Sequence, residues 1–409
     1  AYSGLVGGDT FEGTYTGVFS DKNVGVGKTV TITPSYSGAD VSNYSVTDQS
    51  STTANITAKS LTVSGITASD KIYDGSTSAT LTGTAVYSGL VSGDIFTGSY
   101  TGVFANANVG TGKTVNITPS YSGADVSNYS VTDQSTTTAN ITAKALTATA
   151  SASNKTYDGG TTASTTLTFT GLVGSETLGQ TVGSTFDNKN VGSNKTVTVN
   201  SITLGNGSNG GLAANYSISA GQTTTAHISP KSLTVSGNTA SNKVYDSNSS
   251  ATVSVTLSGF VGSETLTYTN SSSFNNKNVG TGKTVTIDSI TLADGNNGGL
   301  ASNYSITPGQ TTTANITAKS LIISGIIAAS KTYNGSTSAT LDTSAILYSG
   351  LIPGDTFDGS YTGVFSNANV GTAKTVTITS SYTGADVSNY SITNQSSTTA
   401  DITAKALTA

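Results

Sequence analysis

Apolar and polar residues alternate along most of the chain. Between residues 59 and 143, the segments that show this alternation are KSLTVSG, SATLTG, GSYTGVF, KTVNIT, NYSVT and TTANITA. Each places Leu, Val, Ile, Tyr or Phe on one face and Thr or Ser on the other, which predicts half-buried β-strands. Clusters of Gly, Asn and Asp separate the segments, and no helical period interrupts them. The pattern therefore predicts an all-β fold with about six short strands in this stretch.

The same pattern recurs at a nearly fixed interval, which indicates a tandem repeat. A lysine after Ile-Thr-Ala or Ile-Ser-Pro marks the start of each copy, and successive copies begin 85, 87, 88 and 86 residues apart. These markers are Lys59, Lys144, Lys231, Lys319 and Lys405. We name the copies repeat 1 (residues 1–58, a partial copy), repeat 2 (59–143), repeat 3 (144–230), repeat 4 (231–318) and repeat 5 (319–404), and 405–409 match the start of a further copy.

The expected architecture is a linear tandem array of small domains of about 86 residues, each a β-sandwich or a β-grasp-like sheet. Repeats 1, 2 and 5 share SYSGADVSNYS-like segments and form subtype a, whereas repeats 3 and 4 share an NGGLAANYS-like loop and form subtype b. The joints have no flexible linker, since TANITAKSLTVSG runs directly from one repeat into the next. We expect tight coupling between neighbours, with a bend only at Pro230.

The two ends of the sequence fall at different points of a copy. Repeat 1 lacks the first 28 residues that repeat 2 has, and the five residues from Lys405 onward are too few to replace them. An incomplete copy would leave a sheet edge unpaired. We therefore expect the native polypeptide to continue with further copies in both directions.

Composition restricts the possible functions. The chain has no Cys, Met, Trp or Arg, only 10% of its residues are charged, and its net charge is -5. This charge gives no basic field for nucleic acid. Disulfides are excluded, and no segment has the roughly 18 consecutive apolar residues of a membrane span. We expect neither a nucleic-acid partner nor a membrane-spanning segment.

The sequence NVGVGKTVTIT at 23–33 resembles a phosphate-binding loop only superficially. Such a loop needs a glycine five places before Gly-Lys and a helix that begins at the threonine, but Lys22 stands at the first place and an alternating strand follows. Equivalent segments in the other repeats keep the lysine and the strand, but Asn194 and Ala373 replace the second glycine in repeats 3 and 5, so it is dispensable. The pattern favours a tight turn that leads into a strand.

Groups for catalysis or metal binding are scarce. The single histidine, His227, takes a position that Asn55, Asn140, Asn315 or Asp401 fills in the other repeats, which indicates an exposed strand residue. The three glutamates, Glu12, Glu176 and Glu264, lie in different repeats and form no matched pair. Zinc sites are excluded, and the Asp-bearing turns match no calcium motif. We expect no enzyme activity, no cofactor and no metal site, and bound calcium and glycosylation stay open.

Each full repeat has a lysine two residues before a tyrosine. These lysines are Lys71, Lys155, Lys243 and Lys331. Some surface proteins cross-link such a lysine to Asn or Asp with an acidic proton shuttle, but two full repeats contain no glutamate. The pattern favours a lysine whose stem covers an adjoining aromatic ring.

The segment that gives each full repeat its identity is KIYDGST at 71–77, with counterparts KTYDGGT, KVYDSNS and KTYNGST. Together with the KSLTVSG strand, the GLVSGD turn and the Asn-Tyr before the last strands, it resembles the YDG-type repeat, which is similar to the MBG repeat. The signature positions are Tyr73, Asp74, Gly75, Tyr157, Asp158, Gly159, Tyr245, Asp246, Tyr333, Asn334 and Gly335. Since Ser247 replaces the glycine and Asn334 the aspartate, we expect turn-forming residues beside tyrosines that anchor the core.

The resemblance implies a role outside the cell. Repeats of this type occur in tandem in very large secreted or surface-exposed bacterial proteins, including filamentous-haemagglutinin-like adhesins. We therefore expect an extracellular structural stalk or filament segment that gives reach and rigidity. The alternative is that the repeats bind a glycan or a host or neighbour-cell surface directly. The expected partners are neighbouring repeats, with lateral or end-to-end copies and surface glycans left open.

Overall fold

The computed structural model describes residues 1–408, so the match to a further copy at 405–409 lies partly outside the described residues. Strands form nearly all of the regular structure in this range, and a three-residue 3₁₀ turn precedes the Asn-Tyr tyrosine of every repeat. These turns are Val41–Asn43, Val126–Asn128, Ala213–Asn215, Ala301–Asn303 and Val387–Asn389. The predicted all-β fold of tandem repeats is confirmed.

Repeats 1, 2 and 5, of subtype a, share the same order of strands where they overlap. Repeat 1 has β1 (Glu12–Phe19), β2 (Gly25–Ser37) and β3 (Ser51–Ile56). Repeat 2 has β4 (Lys59–Ser64), β5 (Thr67–Ala68), β6 (Lys71–Ile72), β7 (Ser78–Ala79), β8 (Leu81–Thr82), β9 (Val86–Ser88), β10 (Thr97–Phe104), β11 (Gly110–Ser122), β12 (Tyr129–Thr132) and β13 (Thr136–Thr142).

Repeats 3 and 4, of subtype b, have a longer central hairpin. Repeat 3 has β14 (Lys144–Ala145), β15 (Thr147–Ala152), β16 (Lys155–Thr156), β17 (Thr162–Ala163), β18 (Thr165–Thr170), β19 (Leu178–Phe186), β20 (Gly192–Asn206), β21 (Tyr216–Ser217) and β22 (Thr223–Ser229). Repeat 4 has β23 (Lys231–Ser232), β24 (Thr234–Ala240), β25 (Lys243–Val244), β26 (Val253–Ser258), β27 (Leu266–Phe274), β28 (Gly280–Asp294), β29 (Tyr304–Ser305) and β30 (Thr311–Thr317).

Repeat 5 returns to the pattern of repeat 2. Its strands are β31 (Lys319–Ser324), β32 (Ile327–Ala328), β33 (Lys331–Thr332), β34 (Ser338–Ala339), β35 (Leu341–Asp342), β36 (Leu347–Ser349), β37 (Asp358–Phe365), β38 (Gly371–Thr383), β39 (Tyr390–Thr393) and β40 (Ser397–Thr403). One or two residues separate the last strand of each repeat from the first strand of the next, including the joint at Pro230.

A central sheet of mixed direction organises repeats 2 and 5. In repeat 2 its order is β6-β13-β11-β10-β7, with β10 and β13 antiparallel to β11 and β6 parallel to β13. A second sheet, β12-β4-β9, pairs the KSLTVSG strand in parallel with the Asn-Tyr strand. Repeat 5 has the same two sheets, with the orders β33-β40-β38-β37-β34 and β36-β31-β39. The sequence pattern did not predict the short strands β5, β6 and β9, because two or three residues are too few to show alternation.

The alternation of the sequence matches burial along the central strands. On β11, Val115 is fully buried and Ile117 is 7% exposed, while the threonines and serines between the apolar residues face solvent. In repeat 2, Leu61 and Val63 from β4 pack with Tyr129 and Ile117 and so join the two sheets. The predicted half-buried strands are confirmed for this repeat.

The described residues form two compact units, and their boundary falls within repeat 3. The first comprises Ala1–Ser151, Ser164–Ser184 and Thr198–Thr224, and the second comprises Ala152–Ala163, Thr185–Val197 and the chain from Thr225 onward. Repeats 1 and 2 lie in the first unit, and repeats 4 and 5 lie in the second.

The Gly-Lys-Thr segment lies inside a strand. In repeat 1 the pairing of β2 with β3 shifts between Gly25 and Lys28, which marks a β-bulge, and Gly27 has a φ of +65°. The Gly27 N–H donates to Oδ1 of Asn55 at 2.8 Å, and Lys28 reaches back to Asp21. The sequence predicted a turn before the strand, whereas the glycine and lysine form a bulge within it.

The same bulge explains why histidine is able to replace Asn or Asp at position 227. Nδ1 of His227 accepts the N–H of Asn194 at 3.1 Å, as Asn140 and Asp401 accept the N–H groups of Gly112 and Ala373. Asn, Asp and neutral His each supply one acceptor, so these residue types replace one another here. His227 therefore caps a backbone N–H group.

Ala373 offers a test of this bulge. Its φ of +48° lies in the left-handed region, which disfavours a Cβ, while Gly112 holds the equivalent position in repeat 2 with a φ of +58°. We expect Ala373→Gly to raise the free energy of unfolding by about 0.5–1 kcal/mol, and Gly112→Ala to lower it by a similar amount. Urea unfolding of both variants checks the prediction, and shifts of the same sign would contradict it.

Candidate functional site at the repeat junctions

The Tyr-Asp-Gly turn surrounds a lysine ammonium group. In repeat 2, Nζ of Lys71 donates to Oδ1 of Asp74 at 2.8 Å and to the Ser76 carbonyl at 2.8 Å. It also lies 5.6 Å from the centre of the Phe104 ring. Asp74 accepts the Ser76 N–H at 2.8 Å, and Gly75 has a φ of +77°. The carboxylate, the glycine and the lysine thus build the turn together.

The other full repeats keep this turn despite their substitutions. Lys155 and Lys243 donate to Asp158 and Asp246 at 2.7 Å, and Lys331 donates to Asn334 at 3.2 Å. The remaining signature glycines, Gly159 and Gly335, have φ values of +79° and +78°, and Ser247 has +65° in place of glycine. The lysines lie 5.3–5.7 Å from the rings of Phe186, Phe274 and Phe365.

The signature tyrosines reach from one repeat to the next. Tyr73, Tyr157 and Tyr245 are 4%, 1% and 1% exposed, whereas Tyr333 is 41% exposed. The rings of Tyr157 and Tyr304 meet edge to face at 5.5 Å, and the pairs Tyr73 with Tyr216 and Tyr245 with Tyr390 repeat this contact. We expected anchors of each repeat's own core, but three of the four also pack on the Asn-Tyr segment of the following repeat.

A buried or half-buried carboxylate joins each of these tyrosine pairs. Oε1 of Glu264 accepts the Tyr157 hydroxyl at 2.7 Å, and Oε2 accepts the Tyr304 hydroxyl at 2.6 Å. Glu176 connects Tyr73 and Tyr216 in the same way, with both distances 2.6 Å. Asp355 accepts the hydroxyls of Tyr245 and Tyr390 between repeats 4 and 5. We call Asp94, Glu176, Glu264 and Asp355, which occupy the same place in repeats 2 to 5, the junction carboxylates.

An asparagine supplies a second connection at every junction. Oδ1 of Asn303 accepts the Val191 N–H of the preceding repeat at 2.9 Å, and its amide nitrogen donates to Asn190 at 3.1 Å. Asn303 is fully buried. The same pair of bonds recurs at Asn128, Asn215 and Asn389. An amide offers both a donor and an acceptor, so asparagine satisfies both groups of the preceding repeat.

Apolar packing also crosses the junctions. In repeat 2, Phe104, Val115 and Ile141 share a cluster with Leu146 and Tyr216 of repeat 3. Two further clusters join Tyr157 to Leu233 of repeat 4, and Tyr245 to Leu321 and Tyr390 of repeat 5. Repeats 3, 4 and 5 thus each add residues to the core of the repeat before them. Such nearest-neighbour burial is what couples the folding of adjacent repeats.

Burial and hydrogen bonding set the charges at the junction of repeats 3 and 4. Burial, assisted by the bond to Glu264, raises the pKa of Tyr304 to about 12. Burial alone would raise the pKa of Glu264, but the bonds from Tyr304, Tyr157 and Lys189 outweigh it and hold this pKa below its usual value. At neutral pH the tyrosines are therefore donors and the glutamate is an ionised acceptor.

This balance predicts a loss of stability in acid. Because the pKa of Glu264 is lower in the folded chain than in the unfolded chain, its contribution is present above the unfolded pKa of about 4.3 and is lost as the pH falls through the folded pKa. We expect the free energy of unfolding to be constant between about pH 7 and 5 and to fall below about pH 4. Urea unfolding at a series of pH values checks this, and Glu264→Gln should remove part of the acid slope. An unchanged slope in that variant would contradict the assignment.

The three glutamates lie in different surroundings. Glu12 lies on the exposed strand β1, whereas Glu176 and Glu264 accept hydrogen bonds from tyrosine hydroxyls. Within residues 1–408, no group of three or more His, Asp or Glu side chains is placed to hold a metal ion. The same range contains no helix with the length and apolar character needed to cross a bilayer.

Comparison with known families agrees with the repeat signature. The YDG domain matches residues 1–54, 57–139, 142–226, 229–314 and 317–400. The chain belongs to the YDG domain family. The predicted resemblance to YDG-type tandem repeats is thereby confirmed. No curated protein was found to match the chain.

The sequence pattern did not predict that residues of these YDG domains form junctions. It identified the tyrosines and the Asn-Tyr segment only as parts of the repeat signature. Glu176 and Glu264 align with Asp94 and Asp355 at the end of the Gly-Leu-Val turn. The position does not stand out among the glutamates alone, because it is aspartate in repeats 2 and 5 and glutamate in repeats 3 and 4. The asparagine and tyrosine of the Asn-Tyr segment do recur in every repeat, and that recurrence was the available signal.

Proposed function

We propose that this chain is a structural segment, without enzyme activity, of a large extracellular bacterial adhesin or filament. The observation that carries the proposal is the junction, where neighbouring repeats share an apolar cluster, a buried carboxylate and a buried asparagine. Contacts of this kind resist separation of the repeats under tension. A cysteine-free chain rich in Thr, Ser, Gly and Asn also suits a large surface protein.

Single-molecule stretching of the whole chain tests the mechanical role. We expect stepwise lengthening, with each repeat of about 86 residues releasing on the order of 250–300 Å of chain at about 3.4 Å per residue. The same chain in concentrated urea is the control and should extend smoothly. Smooth extension of the native chain would contradict a role in bearing tension.

Direct binding of a glycan or of a host or neighbour-cell surface is the alternative function. Aromatic side chains suited to sugars are exposed in repeat 1, where Tyr15 is 54% exposed. Its hydroxyl bonds to Tyr2 as that of the equivalent Tyr100 bonds to Tyr87, but Tyr100 is half-buried because it packs against Val63 and Ile66, from the part of the repeat that repeat 1 lacks. The exposure is thus not a shared property of the repeats, which favours the structural role. Saturable binding on a glycan array by the whole chain would favour the alternative.

A further inference from the structure

The residue that one repeat contributes to a junction varies together with the number of carboxylates that the next repeat contributes. The residue before the Asn-Val-Gly segment is Lys22 in repeat 1, Ala107 in repeat 2, Lys189 in repeat 3 and Lys277 in repeat 4. We call it the selector position. It faces the following repeat, which presents either two aspartates or a single glutamate.

Two junctions contain an aspartate pair, and both contain a selector lysine. Lys22 Nζ lies 2.8 Å from Asp94 Oδ1 and 2.9 Å from Asp125 Oδ1. Lys277 Nζ lies 3.5 Å from Asp355 Oδ1 and 3.0 Å from Asp386 Oδ1. The aspartate side chains are between 1% and 11% exposed.

The other two junctions contain one carboxylate. Leu212 and Leu300 replace the second aspartate in repeats 3 and 4, next to Glu176 and Glu264. Lys189 lies 3.1 Å from Glu264, whereas Ala107 brings no charge to Glu176, which two tyrosine hydroxyls already satisfy. One carboxylate is therefore compatible with either residue at the selector position.

The aspartate pair is different because the two carboxylates repel each other. Oδ1 of Asp355 and Oδ1 of Asp386 both lie 3.2 Å from the hydroxyl of Tyr245, so the two charges share one small buried space. Besides Lys277, the polar groups that face them are the hydroxyls of Tyr245, Tyr390 and Ser247, the N–H of Thr356 and the side-chain amide of Asn389, all of them neutral. Two buried carboxylates this close do not both stay ionised at low cost without a cation.

We propose that the selector position determines which repeat is able to follow: lysine accepts a neighbour with one or two junction-facing carboxylates, and alanine accepts only a neighbour with one. The order of repeats along the chain is then restricted by charge. The partner of each selector position is therefore another copy of the repeat whose junction-facing carboxylates it is able to accept. The chain contains lysine before an aspartate pair, lysine before a single glutamate and alanine before a single glutamate. Alanine before an aspartate pair does not occur in it.

Substitutions in the whole chain test this rule at two junctions. The readout is hydrogen exchange of the Val279 and Val191 N–H groups, which bond across the junction to Asn389 and Asn303. At pH 7 we expect Lys277→Ala to speed exchange at Val279 about tenfold or more, and Lys189→Ala to change exchange at Val191 less than about threefold. Equal effects of the two substitutions would overturn the proposal.

Removing the second carboxylate should rescue the first variant. Leucine occurs naturally at the position of Asp386, so we expect Lys277→Ala with Asp386→Leu to return the Val279 exchange rate to within about threefold of the native chain. The pH response should also change sign. In Lys277→Ala, protonation of one aspartate relieves the repulsion, so protection should increase between about pH 7.5 and 5.5, whereas the native chain should show no such gain. Absence of rescue or of the pH response would contradict the rule.

The junction of repeats 2 and 3 provides a test that does not depend on the folding of the Lys277 variant. Leu212→Asp would add a second carboxylate beside Glu176, opposite Ala107. We expect it to speed exchange of the Val109 N–H, which bonds to Asn215. Ala107→Lys alone should have little effect, because Lys189 with Glu264 is the same pairing. Ala107→Lys with Leu212→Asp should restore slow exchange. Failure of this restoration would overturn the proposal.

Discussion

Replacing Tyr157 by alanine is expected to lower the free energy of unfolding of repeats 3 and 4 by about 3–5 kcal/mol. The side chain is 1% exposed, its ring contacts Tyr304, and its hydroxyl donates to Glu264. The substitution therefore leaves a cavity and removes a donor from a buried carboxylate. Urea unfolding followed by tyrosine fluorescence and circular dichroism measures the change.

Tyr333 is the matched control for this substitution. It follows the same Lys-Thr pair as Tyr157 and opens the equivalent turn, but it is 41% exposed. We expect Tyr333→Ala to cost clearly less, on the order of 1 kcal/mol. If both variants lost the same stability, the tyrosine would act only within its own repeat and the account of the junction would be wrong.

The second large effect is expected at Glu264. Its carboxylate is 7% exposed and accepts the hydroxyls of Tyr157 and Tyr304 and the ammonium group of Lys189. Glu264→Ala would leave buried hydroxyls without their acceptor, so we expect a loss of about 3–5 kcal/mol. Thermal and urea unfolding of the whole chain measure it.

Glu12 provides the control for the loss of a glutamate charge. It lies on β1 and is exposed, so Glu12→Ala should change the free energy of unfolding by less than about 0.5 kcal/mol. A Glu264→Ala variant that was no less stable than Glu12→Ala would show that the junction carboxylate contributes nothing.

Most of the fold could be predicted because the repeat presents its strand pattern several times. Alternation along segments such as KTVNIT reports burial directly, since side chains of a strand point to opposite faces. The two-residue strands β5 and β6 could not be predicted in this way. Their place is set by pairing with distant strands, as β6 pairs with the end of β13.

The junction was harder to predict because its residues are far apart in sequence. Tyr157 and Glu264 are separated by 107 positions, and each has a plausible local role in a turn. The substitutions at Ser247 and Asn334 predicted turn formation at the second and third signature positions, where Ser247 has a φ of +65° and Asn334 accepts the Ser336 N–H at 3.1 Å. The role of the tyrosine depends on the neighbouring repeat, which no local pattern describes.

Hydrogen exchange of the whole chain with Tyr157→Phe tests the central claim most directly, because this substitution removes only the hydroxyl. If Tyr157 couples repeats 3 and 4, exchange should become faster at Val191 in repeat 3 and also at Val261 in repeat 4, whose N–H donates to the Tyr304 hydroxyl at 3.0 Å. Loss of a bond to a charged group corresponds to about tenfold or more in both rates. Faster exchange confined to repeat 3, with Val261 unchanged, would contradict the account.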